Sequence, residues 1–204
     1  MLPAAKLFFL DTEFTGLRGV PQLLSLALVS EQARGPSFYA EVTDSDRLGA
    51  ASDFVQRKVI SQFGRVDGAA CGYRELGRRM VEFLDGGCGF LRSDFLVLGT
   101  DRDHKRRQRR IAFNSDWDWE LMQAALRDAD PAGFSVRRSQ LLPNNIYNMP
   151  AFAAGERASE AYFEMQQLAT YGRHHALCDA RALRVAWRVA SAALPQPNNE
   201  EVAR

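Results

Sequence analysis

The segment Lys6-Leu7-Phe8-Phe9-Leu10-Asp11-Thr12-Glu13 sets an apolar run directly against two carboxylates. Lys6 to Leu10 has the composition of a buried strand. Asp11 and Glu13 are two residues apart, so on a strand both side chains leave by one face. Carboxylates held that close repel unless a proton or a cation lies between them. Hard oxygen donors of this kind suit Mg²⁺ or Mn²⁺. Asp118 and Glu120 repeat the Asp-x-Glu pattern, but only the first copy follows a strand-like run. An exposed strand end with solvated acids is the alternative reading.

Outward from this segment, Gly16 and Gly19-Val20-Pro21 carry turn chemistry. Leu23 to Val29 is rich in Leu, Ala and Val, and Ser37 to Val42 alternates apolar and polar residues. The short connections favour three antiparallel strands over parallel crossovers. Helical spacing follows at Ser52 to Phe63, with Phe54, Val55, Val59, Ile60 and Phe63 on one face, and again at Ala69 to Leu84. Phe95 to Leu98 and Arg110 to Phe113 read as short strands, Trp117 to Leu126 as a helix, and Phe134 to Leu142 as containing a further strand. Residues 143 to 157 read as a loop; Ser159 to Thr170 and Ala176 to Ala193 read as helices. Strands first, then alternating helices and strands, predict a mixed α/β sheet covered by helices. With no internal repeat or low-complexity linker, residues 1–194 form one domain, followed by a polar tail at 195–204 expected to be disordered.

Composition narrows the function. The chain has 204 residues, 46% hydrophobic and 25% charged, which suits one soluble globular domain. No apolar run reaches the roughly 20 residues of a membrane span, and a membrane partner is not expected. Cys71, Cys88 and Cys178 form no CxxC pair, which speaks against a zinc ribbon or disulfide scaffold and for a reducing cytoplasm. The net charge is only +1, yet Asp101 to Arg110 holds six basic side chains against two acids. Arg106, Arg107 and Arg109 in that stretch are candidates for phosphate-backbone contact; a solvated surface hairpin is the alternative.

Two further constellations carry chemistry. In Asn114-Ser115-Asp116-Trp117-Asp118-Trp119 a strand gives way to a helix, and acids there serve either a ligand-binding rim or a helix N-terminus. In His174-His175-Ala176-Leu177-Cys178-Asp179 a pair of histidines opens the last helix, with an acid in its first turn. No Gly-x-Ser-x-Gly elbow and no Gly-Lys-Ser/Thr phosphate loop is present.

Taken in order, these blocks resemble the DEDDh family of 3′→5′ exonucleases, which have the ribonuclease-H-like fold. Leu10-Asp11-Thr12-Glu13-Phe14-Thr15-Gly16-Leu17 resembles the family's opening motif, and His174-x-Ala176-x-x-Asp179 its closing one. Asn114, Trp117 and Asp118 fit the middle motif, which prefers Asp118 over Asp116. The look is nearest to small bacterial exoribonucleases of the RNase AS type, with ribonuclease T and the oligoribonucleases more distant. Two departures stand out: Phe95 to Leu98 and the basic stretch intervene before the middle motif, and Phe113 stands where many members have His.

The resemblance implies an α/β fold: a ribonuclease-H-like mixed sheet, antiparallel in its first three strands and then parallel, with helices on both faces. It implies two divalent cations, Mg²⁺ or Mn²⁺, held by Asp11, Glu13, Asp118 and Asp179. His174 would be the general base, and Glu13 would also accept a hydrogen bond from the terminal 3′-hydroxyl. Backbone groups around Thr12 and Phe14, with Phe14 and Leu17, would line the pocket of the terminal nucleotide; a core or lid role is the alternative for Phe14 and Leu17. The implied partner is an RNA 3′ end, single-stranded or overhanging; a DNA 3′→5′ exonuclease and a non-catalytic nucleic-acid-binding module are the alternatives, and a homodimer is compatible. His175, four residues before Asp179, would position that acid or cap the helix.

Overall fold

The computed structural model describes residues 6–86, 108–166 and 171–193. Strand β1 (Lys6–Phe14) lies inside a six-stranded sheet of order β4-β3-β2-β1-β5-β6. It pairs antiparallel with β2 (Leu23–Ser30), which pairs antiparallel with β3 (Ser37–Val42). On its other side β1 runs parallel to β5 (Arg109–Phe113), and β5 parallel to β6 (Leu141–Asn145). The two-residue β4 (Ala70–Cys71) runs parallel to β3. The three antiparallel strands, the parallel strands after them and the helices on both faces agree with the expected mixed sheet.

The period of two divides β1 between two cores. Phe8 and Leu10 face α3 (Tyr73–Gly86) and α4 (Asp116–Ala129), packing with Leu76, Met80, Met122 and Leu126. Leu7 and Phe9 face α6 (Phe152–Met165) and α7 (Ala176–Ala192), packing with Phe152 and Leu183. Every residue of β2 is buried, as expected of a strand covered on both faces. Asp11 and Glu13 continue the odd-numbered face that Leu7 and Phe9 begin, so the acids stand on the α6–α7 side of the sheet.

Several elements differ from the sequence reading. The helix expected over Ser52 to Phe63 is the short α2 (Asp53–Lys58) followed by a 3₁₀ turn at Ile60–Gln62. Its Phe54 is half exposed rather than in the core. Ala70 and Cys71, expected in a helix, instead extend the sheet through backbone bonds to β3, and α3 starts only at Tyr73. Phe134 to Gln140 is the helix α5, and of the expected range Leu141 and Leu142 are strand, at the start of β6. A short apolar run does not separate strand from helix. Here the buried Arg137 pairs with Asp85 of α3 and, at 2.9 Å, with Asp130. Residues expected to be loop form β6, a 3₁₀ turn at Ile146–Asn148 and the start of α6. Pro143 is tolerated because β6 is an edge strand. α1 (Ser45–Gly49) was not foreseen. The expected strand at 95–98 and the tail at 195–204 lie outside the described residues.

Candidate active site

The chain's acids converge where β1 and β5 end on the same side of the sheet, the edge at which open α/β sheets bind ligands. β1 supplies Asp11 and Glu13 from inside the strand, not from beyond it. Opposite them on β2 stand the small residues Ala27 and Ser25, which leave room above the acids. The register shifts between Glu13 and Phe14, a bulge that re-aims Phe14.

α4 brings Asp118. Of the two acids in its first turn, Asp116 is exposed and accepts a bond from Asn145 Nδ2, whereas Asp118 is 3% exposed. Asp118 Oδ1 accepts the Thr12 N–H at 3.0 Å and the Thr12 hydroxyl at 2.7 Å. α7 brings Asp179 in its first turn, and the loop before it brings His174. Ligand-capable atoms of Glu13, His174 and Asp179 lie within 4.8 Å of one another. Asp11 and Asp118 stand close enough to repel each other's charge.

The electrostatics follow from crowding. Burial, and then Asp118, Asp179 and Glu13, hold the Asp11 carboxyl well above the usual carboxylate range. Burial, and then Asp179 and Asp118, push Glu13 to about 9. Burial raises Asp118 to about 7 against the two bonds from Thr12. It raises Asp179 to about 7 against the His174 N–H bond and the charge of Arg173. Asp11 Oδ2 and Asp179 Oδ1 are buried without a hydrogen-bond partner. Buried carboxylate oxygens left bare are costly unless something positive completes them. Four oxygen-donor side chains with two bare oxygens fit a hard divalent cation.

The two histidines differ sharply. His174 has a φ of +66°, and its N–H donates to Asp179 Oδ2 at 3.0 Å. Its ring meets Phe54 edge-on at 5.2 Å. Burial, Arg173 and Lys58 lower its pKa, so it is neutral at pH 7. His175 is the N-cap residue of α7, but its side chain makes no capping bond. Its ring is 1% exposed and stacked between Tyr39 and Tyr171, at 4.6 and 4.2 Å. It neither caps the helix nor reaches the acid.

Two cavities flank the acids. One of about 840 Å³ is lined by Glu13, Phe14, Leu17, Ser52, Phe54 and Val59 among others. A smaller one of about 260 Å³ is lined by Asp11, Asn114, Arg173, His174 and Asp179 among others. Phe14 and Leu17 line a cleft beside Glu13. Thr12 does not: it is 5% exposed and both its N–H and its hydroxyl are spent on Asp118. Arg109 is likewise corrected, being 2% exposed inside β5 rather than on a basic surface. Arg106 and Arg107 lie outside the described residues. Phe54 and Asn114 were not expected as lining residues. Nothing local marks Phe54, because the wall it completes is built by the β1–β2 turn, far away in sequence.

No helix among the described residues is long and apolar enough to cross a membrane. No protein-family profile matches the chain, and a search of curated proteins gives no match. Among solved structures the chain is similar to the nuclease domain of 3′hExo, described as a DEDDh family member bound to rAMP. The similarity has 17% identity, 92% coverage of each chain and a TM-score of 0.46.

Proposed function

We propose that the chain is a metal-dependent 3′→5′ exonuclease of the DEDDh type that releases nucleoside 5′-monophosphates from RNA 3′ ends, single-stranded or overhanging. The observation that carries this reading is the convergence of Asp11, Glu13, Asp118, Asp179 and His174 beside a cleft of about 840 Å³. Asp11, Glu13, Asp118 and Asp179 would hold two Mg²⁺ or Mn²⁺ ions. Bound there, the ions supply a water of lowered pKa and stabilise charge on the phosphate and the departing oxygen.

The chain's own groups do the rest. His174, neutral at pH 7, accepts the proton of the attacking water at an imidazole nitrogen. Thr12 holds Asp118 in one orientation through its two bonds. Glu13 stands at the junction of cleft and acid cluster, where it can accept a bond from a terminal 3′-hydroxyl. Phe14, Leu17 and Phe54 offer apolar surface to a terminal base.

The preference for RNA, and for the RNase AS type within the family, is supported by the Asp11-Thr12-Glu13-Phe14 and Ala176-Leu177-x-Asp179-Ala180-Arg181 motifs. The test incubates the protein with 5′-labelled RNA and DNA of equal sequence, with Mg²⁺, with Mn²⁺ and with EDTA. Stepwise shortening of the RNA that EDTA abolishes supports the reading. Equal or faster shortening of the DNA would move the substrate to DNA, and intact strands under every condition would reject the enzyme.

A further inference from the structure

We propose that Gln62 is a positioning residue that sets His174 over the acid cluster; this deepens the reading of His174 as general base and rests on it. His174 is held in the left-handed backbone region, and among the described residues it is the one non-glycine with positive φ. That conformation is strained for a residue with a side chain and persists only where surrounding contacts over-determine it.

Gln62 supplies those contacts. It is 8% exposed, at the end of the 3₁₀ turn that follows α2. Its Oε1 accepts the Gly172 N–H at 2.9 Å. The two hydrogens of its Nε2 serve three carbonyls, that of Lys58 at the end of α2 at 2.7 Å and, sharing the other hydrogen, those of Arg173 at 2.9 Å and His174 at 3.2 Å. One amide therefore grips three consecutive residues of the loop. The His174 carbonyl is bound by Gln62 and its N–H by Asp179, so both ends of the strained residue are tied. Phe54, from α2, closes on the ring itself.

Chemistry explains why an amide stands here. The loop presents one donor and two acceptors, and a carboxamide is the side chain that offers both functions at one end. A carboxylate would match the Gly172 N–H but face two carbonyls with like partial charge. The segment that carries Gln62 also carries Phe54, Val55 and Val59 of the cleft wall. The clamp thereby joins the cleft to the base.

The experiment compares the full chain with Gln62→Met and Gln62→Glu. Steady-state kinetics, Mn²⁺ titration without substrate, and amide hydrogen exchange at Gly172 are measured. Gln62→Met should lower kcat about 10- to 100-fold, the cost of a small misplacement of a catalytic group. KM and Mn²⁺ affinity should stay at the parent values, and the Gly172 amide should lose protection. Gln62→Glu should keep the Gly172 amide protected and still lose kcat, which also serves if the Met variant does not fold. Parental kcat in a folded variant, or kcat, KM and Mn²⁺ affinity failing together, would overturn the positioning role. A parent chain that shortens neither RNA nor DNA would instead reject the proposed function, whatever Gly172 exchange reports.

Discussion

Thr12 and Asp118 are joined by two hydrogen bonds, one from the main-chain N–H and one from the hydroxyl, across 106 residues of sequence. The pair locks the start of α4 to the C-terminal part of β1, and it fixes how Asp118 faces Asp11. Supporting contacts of this kind orient metal ligands, and their loss costs about 10- to 100-fold in metal affinity or activity. Thr12→Val keeps the branched shape and removes only the hydroxyl bond. It should weaken Mn²⁺ binding and turnover by that order while the melting temperature changes little, checked by titration and thermal melts. Parental Mn²⁺ affinity in this variant would deny Thr12 its supporting role.

Asp11→Asn should abolish nearly all nuclease activity and yet leave the metal-free chain at least as stable as the parent. The sign follows from the raised carboxyls. Their folded pKa values lie above the unfolded ones, so their stabilising effect is full below the unfolded values near 4. It is lost as pH rises through about 7 for Asp118 and Asp179 and about 9 for Glu13. Thermal melts of parent and variant with EDTA, from pH 5 to pH 9, should therefore diverge in favour of Asp11→Asn as pH rises. Mg²⁺ or Mn²⁺ should stabilise the parent more at the alkaline end and release protons on binding. A metal-free parent that gains on the variant toward high pH would contradict the crowding of these acids.

The two histidines should separate cleanly by mutation. His174→Ala should lower turnover about 10²- to 10⁴-fold, the range of general-base assistance, while Mn²⁺ still binds. His175→Phe should retain turnover, because its ring is packed between tyrosines and touches no acid. A deeper loss of rate from His175→Phe than from His174→Ala would reverse the assignment.

His175 should instead appear in the acid stability of the fold. Burial lowers its imidazole to about 4, whereas in the unfolded chain it titrates near 6.5. As pH falls between these values, the unfolded chain takes up a proton that the folded chain refuses, so stability falls with falling pH. The full effect is up to about 3 kcal/mol, at roughly 1.4 kcal/mol per unit. His175→Phe should flatten the loss of stability over that window in urea titrations. An equally steep loss in the variant would place the acid sensitivity elsewhere.

Gly155 should prove intolerant of even one methyl group. It lies where α6 crosses α7, and a Cβ there would stand 2.5 Å from the Ala186 carbonyl oxygen and 3.0 Å from its carbon. Both atoms are backbone, so the helices themselves would have to part. Overpacking of this sort costs about 1 to 3 kcal/mol, against roughly 1 kcal/mol gained from helix propensity. Gly155→Ala should therefore unfold at lower urea concentration than the parent. A stabilised variant would mean the two helices separate freely.

Much of this molecule was legible from residues in order. Continuous apolar runs marked β1 and β2 because strands buried on both faces admit little else. The 3.6-residue period marked α3, α4 and α7 because each presents one stripe to a core. The spacing of Asp11 and Glu13, and the start of α7 just before Asp179, are local geometry, and local geometry is written in adjacent residues. Tertiary structure decided what depends on partners distant in sequence. Ala70 and Cys71 became a strand through backbone bonds to β3. Phe134 to Gln140 became a helix that carries Arg137 to Asp85 and Asp130. Arg109 left the basic stretch for the sheet interior because its strand pairs on both sides, with β1 and with β6. Thr12 turned from the cleft to Asp118, and His174 was separated from His175 by a grip that Gln62 applies from 112 residues away. Single residues carry no mark of such bonds, because a hydroxyl or an amide looks the same in sequence whether it meets solvent or a buried partner.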